Sequence, residues 1–170
     1  LGVQGMLWAT SPACTELETR VLDWLRDLLG LPERFASDGR GGGVIQDSAS
    51  SGLFCALVAA RERATGLESN ARGVDQSDRP LVVYASTDAH SSVVKAATLA
   101  GIGREWVRLI ATDARGAMDA AALDRALADD AAAGRRPCFV VATVGTTASG
   151  AIDPVPESAA AARRQIGRAH

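Results

Sequence analysis

The sequence predicts an α/β fold, a mainly parallel sheet flanked by helices. Three observations carry that expectation. Leu81-Val82-Val83-Tyr84-Ala85 and Cys138-Phe139-Val140-Val141-Ala142-Thr143 are short, continuous apolar runs, as strands covered on both faces require. Segments whose apolar residues recur at helical spacing alternate with them. Gly30, Gly66, Gly101 and Gly134 each stand where one of those helical segments should stop.

Taken in order, Ser11-Pro12 opens a first helix, with Ser as N-cap and Pro at the first helical position. Leu17, Val21, Trp24, Leu25 and Leu28 form its apolar face, and Gly30 and Pro32 end it. Three glycines, 41–43, precede a second helix that starts near Asp47 or Ser48 and runs to about Ala64, burying Leu53, Phe54, Leu57 and Val58. Residues 67–80 are polar, lack either period and read as a surface loop. The first strand follows at 81–85, then a helix from about His90 to Ala100. Trp106 to Ile110 is the next strand. Asp119 can cap a helix through Leu123 and Leu127 to Gly134, and the strand at 138–143 ends in Gly145-Thr146-Thr147.

With 170 residues the chain can bury the core of one ordinary domain. A net charge of −2 gives no electrostatic reason to expect nucleic acid or a membrane surface as partner. Cys14, Cys55 and Cys138 are odd in number and lack metal-ligand spacing, so no metal is expected. Each lies in an apolar stretch and reads as a buried free thiol in a reducing, cytoplasmic setting. The chain starts at Leu1 within what reads as an ongoing segment. Residues 166–170 break the preceding helical pattern, and Ile-Gly-Arg-Ala-His is what the start of a common sequencing adapter encodes in one frame. The expectation is therefore an incomplete domain over 1–165, truncated at both ends, with a non-native tail at 166–170.

In parallel sheets, ligands bind beyond the carboxyl ends of the strands, which directs attention to the stretches after Tyr84 and Val141. Ser48, Ala49 and Ser50 occupy a first helical turn, where unpaired amides and the helix dipole favour an anion such as phosphate. The alternative is that Asp47 or Ser48 simply caps the helix, and the Asp47 carboxylate would repel a phosphate unless it points away. His90 is the only histidine before residue 170. At a strand end its ring could stack on a flat cofactor or transfer protons, or it could be a surface residue in a helical turn capped by Asp88. The hydroxyls in Thr143-Val144-Gly145-Thr146-Thr147, with Asp153 shortly after, could touch a ligand or merely hold a turn. Lys95, the only lysine, reads as a solvated mid-helix residue.

Together, SPACTELE (11–18), GGGVIQDSASS (41–51), YASTDAHSSV (84–93) and VVATVGTTASGAIDP (140–154) resemble the pyridoxal-phosphate-dependent amino-acid decarboxylases of the aromatic type. The resemblance runs from Leu1 to about Arg164, and the glutamate-decarboxylase branch fits the first two stretches less well. It implies part of the large domain of the aspartate-aminotransferase-like (fold type I) architecture, an obligate homodimer and pyridoxal 5'-phosphate as cofactor. It matches Ser48, Ala49 and Ser50 to the cofactor-phosphate loop, His90 to the histidine stacked on the pyridine ring and Thr147 to a threonine at the cofactor. Gln4 and Met6 match positions lining the substrate pocket of the partner subunit. Several relatives carry glycine where this chain has Asp47.

The implied activity is decarboxylation of an aromatic L-amino acid to its amine. Alternatives are an enzyme of the same fold acting on another amino acid, with simple or oxidative decarboxylation, and a non-catalytic homologue. The family's cofactor-linking lysine and the aspartate that pairs with the pyridine nitrogen are expected beyond residue 165. The 170-residue chain is therefore expected to be inactive alone.

Overall fold

The computed structural model describes residues 7–75 and 78–166, which fall into two compact units, 1–47 and 48–170. Gln4 and Met6 lie outside the described residues, as do 167–170.

In the first unit, α1 spans Pro12–Leu28, with Pro at its start as the sequence predicts, although Ser11 makes no side-chain cap. Its end is closed by Gly30 at φ 62, which lets the Leu31 N–H reach the Arg26 carbonyl at 3.0 Å. The chain then runs back along the helix. Asp23 accepts the Ser37 N–H at 3.1 Å, and Glu18 accepts the Ile45 N–H at 2.6 Å. The expected apolar face of α1 is present as a stripe but is not buried. Leu17, Val21, Trp24, Leu25 and Leu28 are 39–83% exposed, because the residues folding back on α1 meet it through its polar side chains.

The second unit is a three-layer α/β domain. Its strands are β1 (Leu81–Ser86), β2 (Val107–Ile110) and β3 (Arg136–Val140), all parallel and ordered β2-β1-β3. Its longer helices are α2 (Ala49–Ala64), α4 (Ser92–Leu99), α5 (Ala120–Ala132) and α6 (Val155–Gln165). A short helix, α3 (Glu68–Arg72), occupies the stretch expected to be irregular. It is a single turn with too few residues to carry a period. The buried Ser69 holds it by donating to Glu62 at 2.7 Å.

The alternation of β1 explains the unbroken apolar run. Leu81, Val83 and Ala85 enter one core with Leu57 of α2 and Val93, Ala96 and Ala97 of α4. Val82 and Tyr84 enter a second core with Met118, Leu123 and Leu127 on the α5 side and Ala161 of α6. At roughly 25 cal/mol per Å², burying a side chain of this size contributes about 1.5–3 kcal/mol, so either face of β1 would be costly to expose. The crossover β1-α4-β2 moves one way across the sheet, and β2-α5-β3 returns past β1. Uniform right-handedness then requires α4 and α5 on opposite faces, which is what the two cores record.

Two strand limits differ from expectation. β2 starts at Val107 because Trp106 ends a 3-10 turn, and β3 covers 136–140 rather than 138–143. β3 begins early because Arg136 pairs with Leu81 across an irregularity near Cys138. It ends early because Thr143 is drawn into a turn by Asp153. The cysteines also differ from expectation. Only Cys138 is buried, with burial pushing its thiol up to about 11, whereas Cys55 lies on the outer side of α2 and Cys14 is half-buried.

Candidate functional site

Two hydrogen bonds fix the direction of α2. Arg136, at the start of β3, donates to the Ala64 carbonyl at 2.7 Å, and Arg61 donates to the Ala100 carbonyl at 2.7 Å. The C-terminal ends of α2 and α4 therefore lie together at the amino end of the sheet. Their N-termini point the other way, toward the carboxyl ends of the strands. Three predicted stretches lie at that end: Ser48–Ser50 opening α2, Thr87–His90 after β1, and the turn after β3 that carries Thr147.

The three strand-end loops approach one another closely. Gly116, at φ 79 in the loop after β2, marks the point of contact. A Cβ there would lie 3.2 Å from Ser149 Oγ and 3.6 Å from Asp88 Oδ2. The connections after β1 and β3 leave toward opposite faces, opening the crevice in which α/β sheets take ligands.

At α2, Ser48 is the N-cap and its Oγ accepts the Ser51 N–H at 3.2 Å. The Gly52 N–H bonds the Ser48 carbonyl at 3.0 Å. The amides of Ala49 and Ser50 and the exposed Ser50 hydroxyl have no partner among the described residues. The structure bears out the capping reading of this stretch. Ser48 caps the helix, and the next two residues present a cluster of donors at a positive helix end. Asp47 is exposed and takes no part in the cap.

His90 lies before α4, and the expected cap by Asp88 does not form. Instead the His90 Nδ1 accepts the Ser92 N–H at 3.2 Å and lies 3.0 Å from Ser92 Oγ. A backbone N–H can only donate, so Nδ1 is the accepting atom of this contact. His90 is exposed, and its ring is held at the Nδ1 edge.

Thr147 is exposed at the tip of the turn after β3 and makes no hydrogen bond among the described residues. Its neighbour Thr146 is buried, lies 2.8 Å from Ser149 Oγ and accepts the Ala151 N–H at 3.1 Å. The two threonines divide the roles left open by sequence, one holding the turn and the other facing outward. Sequence reasoning named Asp153 only as a neighbour of the threonines, but it is 1% exposed and accepts two backbone amides, from Met118 at 2.8 Å and Thr143 at 2.7 Å. Its signal was faint, an acidic residue beside apolar neighbours just before a proline. Lys95 is exposed on α4, as expected.

A cavity of about 480 Å³ opens at the amino end of the sheet, lined by Arg63, Arg79, Arg135, Arg136 and Cys138 among others. It lies away from the strand-end loops. Arg135 is committed to Asp130 at 2.8 Å and Arg136 to Ala64, and the thiol is held protonated. We assign the candidate site to the opposite, carboxyl end.

The family described as the pyridoxal-dependent decarboxylase conserved domain matches residues 1–167. Tryptophan decarboxylase 2 of Oryza sativa subsp. japonica is 46% identical over 157 residues, 91% of this chain and 31% of that protein. Phenylacetaldehyde synthase of Arabidopsis thaliana is also 46% identical over 157 residues, with the same coverage. The crystal structure of Oryza sativa TDC with PLP and tryptamine superposes with a TM-score of 0.83 at 42% identity, covering 96% of this chain and 34% of that one. The chain thus spans about a third of the length of the relatives it matches.

Proposed function

The chain belongs to the pyridoxal-dependent decarboxylase family, and from that premise we propose that it is the cofactor-holding part of a longer, homodimeric enzyme that converts an aromatic L-amino acid to its amine. The cofactor of the family is pyridoxal phosphate, and the residues present suit it. The observation that carries the proposal is the donor cluster opening α2, two free amides and the Ser50 hydroxyl, at the same end of the sheet as the exposed His90 ring and Thr147 hydroxyl.

In this reading Ser48, Ala49 and Ser50 hold the phosphate, each charge-assisted bond contributing about 1.5–3 kcal/mol. His90 lays its ring on one face of the pyridine, held by Ser92, and shields that face from water. Thr147 donates a hydrogen bond from the tip of its turn. Gln4 and Met6 line the substrate pocket of the other subunit. When bound, pyridoxal phosphate supplies the electron sink that accepts the electron pair left by departing carbon dioxide. The protein's share is orientation and electrostatic support.

The Arabidopsis phenylacetaldehyde synthase, as similar to this chain as the tryptophan decarboxylase is, motivates a second reading in which the product is an aldehyde. One experiment separates the possibilities. The full-length protein is supplied with pyridoxal phosphate and with tryptophan, tyrosine, dihydroxyphenylalanine or glutamate, and both carbon dioxide and organic product are measured. The expected result is carbon dioxide and amine from an aromatic substrate. Aldehyde as main product selects the second reading. Preference for glutamate, or no carbon dioxide from any of the four, defeats the aromatic decarboxylase proposal.

A further inference from the structure

The loop that presents Thr147 is closed at its base by Asp153. Beyond the carboxylate bond to Thr143, the Asp153 N–H donates to the Thr143 carbonyl at 2.9 Å, and Val144 bridges Ile152 in antiparallel fashion. The amides of Gly145 and Thr146 both reach the Ala151 carbonyl, at 3.0 and 2.9 Å. The other carboxylate oxygen holds the Met118 N–H, in the connection between β2 and α5. One side chain thus ties together two of the three loops at the carboxyl end of the sheet.

Asp153 forms no ion pair among the described residues. A carboxylate so deeply buried needs compensation, and here backbone supplies it. Two amides bond it, and it immediately precedes the N-cap of α6 while Met118 immediately precedes that of α5. The positive ends of two helices therefore meet near one negative charge.

We propose that Asp153 is the positioning residue of the turn after β3, fixing Thr147 at the cofactor and locking that turn to the β2–α5 connection. The part concerning Thr147 rests on the function proposed above. Asp153→Asn is the informative change because it keeps the volume. An amide side chain has one accepting end and one donating end, so one of the two backbone N–H groups must face another donor.

The test uses the full-length protein as wild type, Asp153→Asn, Thr147→Ala and the double variant. Amide hydrogen exchange on the cofactor-free protein reads the clamp without reference to any cofactor. Asp153→Asn should speed exchange at Met118 or Thr143 by about tenfold, the loss of one hydrogen bond to a charged group. Unchanged exchange at both overturns the clamp, whether or not the protein binds pyridoxal phosphate. With the cofactor added, each single variant should weaken its affinity by about tenfold and alter its visible circular dichroism. The double variant should be within about threefold of the worse single, because both act through one contact. Wild-type affinity and dichroism in Asp153→Asn, or losses that multiply to about a hundredfold, overturn the positioning role. If Asp153→Asn does not fold, Thr146→Val loosens the tip of the same turn and should weaken cofactor affinity in the same way. Wild-type affinity in that variant overturns the proposal equally. A wild-type protein that binds no pyridoxal phosphate defeats the function proposal alone and leaves the exchange result standing.

Discussion

The Tyr84 hydroxyl, buried in the middle of the sheet, donates to Asp130 Oδ2 at 2.8 Å. Arg108 reaches both oxygens of the same carboxylate at 3.2 and 3.1 Å, and Arg135 adds a bond at 2.8 Å. One carboxylate on α5 thereby joins β1, β2 and the residue just before β3. Burial pushes the Asp130 carboxyl up, but the bonds from Arg108, Tyr84 and Arg135 outweigh it and leave the group below its ordinary 3.8. Burial first, and the bond to Asp130 second, push the Tyr84 phenol up and keep it neutral.

Asp130→Ala should cost about 3–5 kcal/mol of unfolding free energy, since it strands two arginines and a buried phenol. Tyr84→Phe, which removes one donor and leaves the ion pairs, should cost only about 1–2 kcal/mol. Urea unfolding checks both, and a cost for Asp130→Ala no greater than that for Tyr84→Phe refutes the hub.

The same group sets an acid limit. A carboxyl whose folded-state value is lowered stabilises the fold fully above its ordinary value. That contribution is lost as pH falls through the lowered one. Stability should therefore decline as pH falls below the ordinary 3.8, and Asp130→Asn should flatten the decline. An equal acid slope in wild type and Asp130→Asn would assign it to other carboxyls.

Much of this architecture is legible in the sequence because its signals are local. The runs at 81–85 and 138–143, the Asp119 cap and the glycines at 30, 66, 101 and 134 depend only on neighbours along the chain. Asp119 does accept the Ala121 and Ala122 amides, and those four glycines have positive φ. What escapes is set by distant partners. The end of β3 depends on Asp153, ten residues on. The exposure of α1 depends on what faces it, which its own period cannot state. At the site, Ser48 and Ser50 look interchangeable in sequence and differ only once their bonds are known.

That difference makes the two serines separable. Ser48→Ala removes a cap and should cost about 1 kcal/mol of stability. Ser50→Ala should leave unfolding unchanged and weaken pyridoxal phosphate affinity of the full-length protein by about tenfold, one charge-assisted bond. Equal cofactor affinity in Ser50→Ala and wild type would confine this helix end to a structural role.

The glycine run has a packing origin as well. A Cβ on Gly41 would lie 2.0 Å from the Arg34 carbonyl oxygen, backbone that cannot swing aside, whereas one on Gly30 would meet nothing within 4 Å. Gly41→Ala should therefore destabilise the first unit by about 1–3 kcal/mol or more through overpacking. Gly30→Ala should lose about 1 kcal/mol from its left-handed backbone alone. Thermal unfolding of the two variants side by side tests the order.

His90→Ala in the full-length enzyme should lower decarboxylation by about 100-fold if the ring both stacks and handles protons. His90→Asn offers a control, because its side-chain oxygen can still accept the Ser92 N–H and so preserve the start of α4. Restored stability without restored turnover in His90→Asn assigns the loss to the ring, while near-normal turnover in either variant removes His90 from the mechanism.

Lys95 decides what the 170-residue chain can do alone. Val93, Ala96 and Ala97 of α4 are buried against the sheet, and at 100° per residue Lys95 falls on the opposite side of the helix. It is exposed there, facing away from the strand ends where His90 and Thr147 lie. A lysine that links covalently to a cofactor must reach into the site, and no other lysine exists in this sequence. Pyridoxal phosphate added to residues 1–170 should therefore bind loosely at most, through the opening of α2. Borohydride reduction followed by peptide mass analysis should show no stoichiometric cofactor on Lys95, and aromatic amino acids should release no carbon dioxide. Stoichiometric labelling of Lys95 together with turnover would contradict the orientation of α4 and make Lys95 the catalytic lysine.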